Sequence, residues 1–226
     1  MGAGAVTRRY PATIAAPVDH ELVIKKSRFI AHVVPVASPE EADAVIADVK
    51  RRAWDAGHNC SAQITGDLGD RARSSDDGEP SGTAGVPMLE VLLRRELTDV
   101  VAVVTRHFGG IKLGAGGLVR AYSSAVSEAL DLATTVDRRV LACVTVAVDH
   151  ADAGRYDNLL REWVRGHGAL LADPVYEAKA AFEVWAPPSE IAALSAELAT
   201  ASSGAVQAVV TGAERLVGVP RPAPRG

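Results

Sequence analysis

Of the 226 residues, 48% are hydrophobic but only 4% aromatic, and much of that apolar content is Ala and Val, which suits one large or two small, closely packed cores. No run approaches the roughly 18–20 apolar residues of a membrane span, the opening MGAGAVTRRYPATI lacks the core of a secretion signal, and two cysteines cannot build a disulfide framework; a cytoplasmic protein without membrane contact is expected. Through Arg139 there are 17 Lys/Arg against 18 Asp/Glu, and after it 7 against 10, so neither half has the basic balance of a protein that grips nucleic acid mainly by its phosphates.

In chain order, ELVIKKSRFIAHVVPV (21–36) reads as one strand, rich in β-branched residues with partial alternation. SPEEADAVIADVKRRAW follows as a helix. Ser38 is its N-cap, Pro39 takes the first helical position, and Glu41 three residues after the cap completes a capping box. Ala42, Val45, Ile46 and Val49 then share one face. HNCSAQIT (58–65) reads as a strand, and GDLGDRARSSDDGEPSGTAG as a polar loop of about twenty residues, a length that is uncommon unless the loop is functional or disordered. Pro87 begins a short helix, and DVVAVVTR (99–106) is a buried-type strand. A glycine-rich stretch leads into a helix starting near Gly117, with Leu118, Tyr122, Ala125, Ala129 and Leu132 on one face.

After residue 138 the pattern restarts. VLACVTVAVD is a strand, RYDNLLREWVRGHG a helix, ALLADPVYE and AKAAFEVWA two strands, PPSEIAALSAELATAS a helix and AVQAVVTGAERL a last strand. That β-α-β-β-α-β order is the ferredoxin-like arrangement. The expected organisation is α+β in two domains, 1–138 and 139–218, with 219–226 as a flexible tail.

Three constellations carry candidate chemistry. In RHFGGIKLGAGGLVR, a strand, a Gly-rich turn and a helix N-terminus aim amide groups and the positive end of the helix dipole at one spot. No Gly-Lys-Ser/Thr follows, so it is not a Walker loop, and Val119 stands where a dinucleotide fingerprint needs its third small residue. Two readings stay open: Gly109, Gly110, Gly114, Gly116 and Gly117 form an anion site with Arg106, Lys112 and Arg120, or they only permit tight turns. In SSDDGEPSGTAG, Asp76, Asp77 and Glu79 offer oxygen ligands, but the spacing is not that of an EF-hand and Asp-Asp-Gly is turn chemistry. His58, Cys60 and His107 suggest a thiol with a base, yet nothing orients them, and a buried thiol beside hydrogen-bonded histidines is the commoner arrangement. Trp54, Trp163 and Trp185 read as core or interface residues. No catalytic residue, metal or cofactor is expected.

The stretches SDDGEPSGTAGVPML and VVTRHFGGIKLGAGGLVRAYSSAV, with KSRFIAHV and HNCSA upstream, resemble the IMPACT family, in its bacterial YigZ-type branch. The resemblance is detailed over roughly residues 20–135. It implies an N-terminal domain with the fold of domain IV of elongation factor G, shared by GHMP kinases, and a C-terminal domain similar to domain V of that factor. Eukaryotic relatives are associated with translational control through protein partners, and contact with nucleic acid or the ribosome has been proposed for bacterial ones by fold analogy. The matching positions are His58, the run Asp76-Asp77-Gly78-Glu79-Pro80, Gly82, Thr83, Gly85, Pro87, Arg106, Gly109, Gly110, Gly114, Gly116, Gly117, Arg120 and Tyr122. Relatives usually carry tyrosine where His107 stands, although imidazole can still stack. The expectation is a binding protein that meets RNA, ribosome or a translation-linked protein through these residues. The competing expectation is an enzyme on a phosphorylated or nucleotide substrate, with the glycine loop as phosphate cradle and Asp76, Asp77 or Glu79 holding Mg²⁺.

Overall fold

The structure is a computed structural model and describes residues 10–221. The sequence readings at residues 1–9 and 222–226 lie outside the described residues. The chain divides into two compact units, one holding the described residues through Arg138 together with those from Gly218, the other Arg139–Val217.

The first unit begins with β1 (Thr13–Ile14), β2 (Val18–Ile24) and β3 (Ser27–Pro35). The expected single strand over 21–36 is thus a hairpin. It turns at Lys25 and Lys26, whose φ values of 46° and 65° are those of a type I′ turn. Such turns normally carry Asn-Gly, so two lysines give no sequence signal. Helix α1 (Pro39–Arg52) starts as expected: Ser38 Oγ accepts from the Glu41 amide, while Glu41 Oε2 reaches back to the amide of Ala37 rather than that of Ser38. Then come β4 (His58–Thr65), β5 (Arg71–Ser75), α2 (Gly85–Arg94), β6 (Val100–His107) and α3 (Ala115–Asp131).

β5 lies inside the segment expected to be loop. Its RARSS has no apolar alternation because all five residues are exposed, and it pairs only with β4 at the edge of a five-stranded sheet ordered β2-β3-β6-β4-β5. β6 is central and buried on both faces, which explains its unbroken Val/Ala run. Val101 and Val103 meet Ala42 and Val49 of α1 on one face; Val100, Ala102 and Val104 join the larger core with α2 and α3 on the other. Leu118, Tyr122, Ala125 and Ala129 are buried as the helical period requires, whereas Leu132 caps α3 and is exposed.

The second unit follows the expected β-α-β-β-α-β order: β7 (Thr135–Val148), α4 (Ala153–His167), β8 (Leu170–Leu171), β9 (Val175–Tyr176), β10 (Ala180–Ala186), α5 (Ile191–Ser202) and β11 (Ala208–Pro220). The segment 169–177, expected as one strand, is split into two short pieces that both pair with β10. β10 also pairs with β7, and β11 with β7. Val144, Val146, Tyr156, Leu160, Phe182, Val184, Leu194 and Leu198 form its core. The chain passes between the units inside β7 and again inside β11. Residues 219 and 220, expected in a flexible tail, are strand, and Arg221 donates its amide to the Thr135 carbonyl and pairs with Asp137. Trp163 is buried and Trp185 lies under the Arg215 guanidinium, but Trp54 is 82% exposed.

Candidate functional site: a cleft at the start of helix α3

Strand register builds the floor of the site. Residues paired across an antiparallel ladder share a face, and Arg106 is paired with Phe29 on β3 and with His58 on β4. These three therefore form a row on the sheet face that α3 covers. Tyr122 comes down from α3, its ring edge-on to Phe29 at 5.2 Å. Glu79, from the loop after β5, completes the cluster: Arg106 Nη1 donates to its Oε1 at 2.6 Å and the Tyr122 hydroxyl donates to the same oxygen at 2.7 Å. His58 Nε2 stands 3.8 Å from Glu79 Oε2. His58 Nδ1 faces the Asp77 carbonyl at 2.9 Å. A carbonyl only accepts, so Nδ1 is the donor in this contact.

The Glu79 and Arg106 side chains are only 2% and 8% exposed. Breaking such a buried pair by removing one partner costs about 3–5 kcal/mol, because the other charge is left uncompensated. Arg106 also lies over the rings of Phe29 and Phe108, at 5.5 and 5.6 Å. Its Nε–H is a buried donor with no acceptor among the described residues.

The acidic loop is held by its own carboxylates. Asp76 and Glu79 close a turn through Asp77 (φ 44°) and Gly78 (φ 87°), an Asp-Gly type I′ pattern. Asp76 accepts from the amides of Gly82, Ala84 and Gly85, which caps α2 from outside, since Ala84 has no side chain for the task. That is why α2 begins at Gly85 and not at Pro87. Burial opposes the charge of Asp76, but the three amides outweigh it and hold its carboxyl below the usual range. Asp77 is likewise held low: burial raises it, while Lys50 Nζ and the Asn59 amide, both at 2.6 Å, lower it further. The three carboxylates thus face three separate sets of protein donors rather than one point.

Above the row opens a cleft of about 520 Å³, lined among others by Gly57, His58, Glu79, Arg106, Phe108, Lys112, Leu113, Gly114 and Ala115. Helix α3 starts at Ala115, two residues before the expected Gly117, and its N-cap Gly114 has no side chain to cap it. Its first intrahelical bond runs from Leu118 N–H to Gly114 O, so the amides of Ala115, Gly116 and Gly117 have no partner within the helix.

The glycines divide by task. Gly109 is demanded by close approach, since a Cβ there would lie 2.0 Å from the Lys26 carbonyl carbon; Gly110 and Gly114 hold φ of 83° and 74°. A Cβ on Gly117 would meet Leu113 at 2.9 Å, whereas one on Gly116 meets nothing within 4 Å among the described residues.

The expected residues are therefore only partly brought together. His58, Glu79, Arg106, Lys112 and Gly114 line the cleft, and Tyr122 supports it through Glu79. Arg106 is no free cation, since it is paired with Glu79. Arg120 is exposed on α3 and does not line the cleft, because it lies two residues from the buried Leu118 and so roughly opposite on the helix. His107, one residue past Arg106, points to the other sheet face, opposite Arg28. Asp76 and Asp77 shape the loop behind the cleft. Cys60 donates Sγ–H to the Asp76 carbonyl, and burial pushes its thiol up to about 12, so no thiolate stands at neutral pH. Phe108, Gly57 and Leu113 were not singled out from the sequence. An aromatic next to a Gly-Gly pair, outside any helical or strand period, was the available signal for Phe108.

The family model of the Impact N-terminal domain matches residues 25–130, and that of a domain of unknown function, DUF1949, matches residues 146–205. The IMPACT family member YvyE of Bacillus subtilis is 44% identical over 192 residues, covering 85% of this chain and 87% of its own. The IMPACT family member YigZ of Escherichia coli is 37% identical over 195 residues, covering 85% and 94%. A crystal structure of a hypothetical protein, 35% identical, covers 90% of this chain and 98% of its own with a TM-score of 0.57.

Proposed function

The chain belongs to the IMPACT family, and from that premise we propose that it is a cytoplasmic binding protein of translational control whose cleft at α3 holds a phosphate-bearing partner, RNA by itself or within the ribosome. The family resemblance supports the link to translation. It also carries the inference that the two units share the folds of domains IV and V of elongation factor G, for which the β-α-β-β-α-β order of the second unit speaks. The observation that carries the binding reading is the uncapped start of α3, opening into the same cleft as Lys112 and as Arg106 with its unpaired Nε–H.

The carboxylates nearby do not stand against it, because Glu79 is paired with Arg106 and Asp77 with Lys50, while Asp76 is turned to the amides of Gly82, Ala84 and Gly85. The helix terminus contributes about 0.3–1 kcal/mol. Charge-assisted hydrogen bonds contribute about 1.5–3 kcal/mol each before ordering losses. About 4 kcal/mol corresponds to millimolar binding, so a single phosphate binds weakly and a larger partner supplies the remaining contacts. The enzyme reading is less well supported: both oxygens of Asp76 and of Asp77, and Oε1 of Glu79, offered for Mg²⁺, already accept from protein donors.

The test titrates inorganic phosphate into the full chain while backbone amide shifts are followed, and recovers the tagged protein from cells with and without nuclease. Shifts centred on Gly114–Gly117, weakened by Lys112→Glu and by salt, together with nuclease-sensitive recovery of RNA, are expected. An intact fold with no shifts in that stretch defeats the proposal.

A further inference from the structure

Resting on the anion-binding reading of the cleft, we infer that its ligand is a single nucleotide with a terminal phosphomonoester: the phosphate seats on the free amides of Ala115, Gly116 and Gly117, and the base stacks on Phe108. Four observations lead there.

Phe108 lines the cleft and is 57% exposed, so one face of its ring is open to a ligand. Its ring lies against the Arg106 guanidinium at 5.6 Å, and that side chain is itself anchored by Glu79. The ring thus offers a platform backed by that guanidinium, and every nucleobase has a π-face that such a platform accepts whatever its sequence.

The second observation is the phosphate end. The helix start is bare because its N-cap Gly114 carries no side chain, and at Gly116 a Cβ would meet nothing within 4 Å among the described residues, so the backbone there is open to close approach. The third is the wall of the cleft, where a side chain 8% exposed keeps an orphaned donor, Arg106 Nε–H, and where Lys112 adds a cation to the lining.

The fourth is scale. About 520 Å³ falls within the range of small-molecule pockets, and a chain of net charge −4 lacks a broad basic balance, so the unit seated in the cleft is one terminal nucleotide, free or at the end of an RNA. One base and one phosphate match what the cleft presents. A nucleoside monophosphate and the 5′-phosphorylated end of an RNA share that chemistry.

The experiment follows amide shifts and binding isotherms of the full chain with inorganic phosphate, ribose 5-phosphate, adenosine 5′-monophosphate, and a four-nucleotide RNA with either a 5′-phosphate or a 5′-hydroxyl. Adenosine monophosphate should bind roughly ten-fold tighter than ribose 5-phosphate, the increment expected for one stacked base. Phe108→Ala should erase that difference, Phe108→Trp should keep it, and neither should alter the phosphate shifts at Ala115–Gly117. Phe108 is exposed, so the fold is not at stake in these variants.

Tighter binding of the 5′-phosphorylated RNA than of the mononucleotide identifies the RNA end as the source, and equal binding identifies the free nucleotide. Equal affinity for ribose 5-phosphate and adenosine monophosphate, or equal binding of the two RNAs, overturns the inference while leaving an anion site in place. Absence of phosphate shifts at Ala115–Gly117 instead overturns the reading on which it rests.

Discussion

Asp76 joins the acidic turn to the start of α2 through the amides of Gly82, Ala84 and Gly85. Asp76→Ala leaves all three without their acceptor and is expected to cost about 2–3 kcal/mol at neutral pH, a lost helix cap plus a lost charged acceptor. The pH dependence has a definite sign. The folded pKa of Asp76 lies below its unfolded value of about 3.9. Its contribution is therefore present above about pH 4 and lost as pH falls through the folded pKa. Urea unfolding at pH 7 and again well below pH 4 checks this: the gap between native protein and variant should narrow in acid. A gap of the same size at both pH values would mean that the carboxylate charge is not what holds the turn.

At the scale of elements, the β6–α3 connection shows glycines that look alike in the sequence but answer to different constraints. Gly109→Ala drives a methyl into the Lys26 backbone of the β2–β3 turn and should cost about 2–3 kcal/mol, as overpacking does. Gly116→Ala meets open space on a helix and should stabilise by about 0.5–1 kcal/mol. Thermal melts of the two variants should move in opposite directions, and movement in the same direction would contradict the packing described for this loop. The same hairpin turn explains the misread strand over 21–36. Lys25 and Lys26 adopt left-handed φ because the pairing of β2 with β3 requires it, not because lysine prefers it. β5 escaped notice for a related reason, since a strand exposed along its whole length owes its existence to the ladder with β4 and leaves no apolar period.

At the scale of the whole chain, the two units divide at Arg138, and each has its own core. We propose that 1–138 and 139–226 fold independently. Each fragment, expressed separately, should give a dispersed amide spectrum, with 1–138 melting somewhat below the full chain because it lacks the Arg221–Thr135 and Arg221–Asp137 contacts. A collapsed spectrum from either fragment would refute independent folding.

By itself the sequence determined the α+β class, the capped α1, the buried character of β6, the β-α-β-β-α-β order of the second unit and the family, because periodicity, caps and long motifs are local. The cleft was legible only as a collection: His58, Glu79, Arg106, Lys112 and Gly114 were expected near one another, but so were Arg120 and His107. Tertiary structure decided among them. Register put Phe29, Arg106 and His58 in one row and turned His107 to the other face; helical phase carried Arg120 away from the cleft. Burial paired Arg106 with Glu79 and left Phe108 as the exposed ring at the rim. Such partnerships join residues far apart in the chain, 27 positions for Glu79 and Arg106 and more for Phe29 and Arg106. They depend on which faces meet once the sheet is assembled, and no local preference of a residue encodes that.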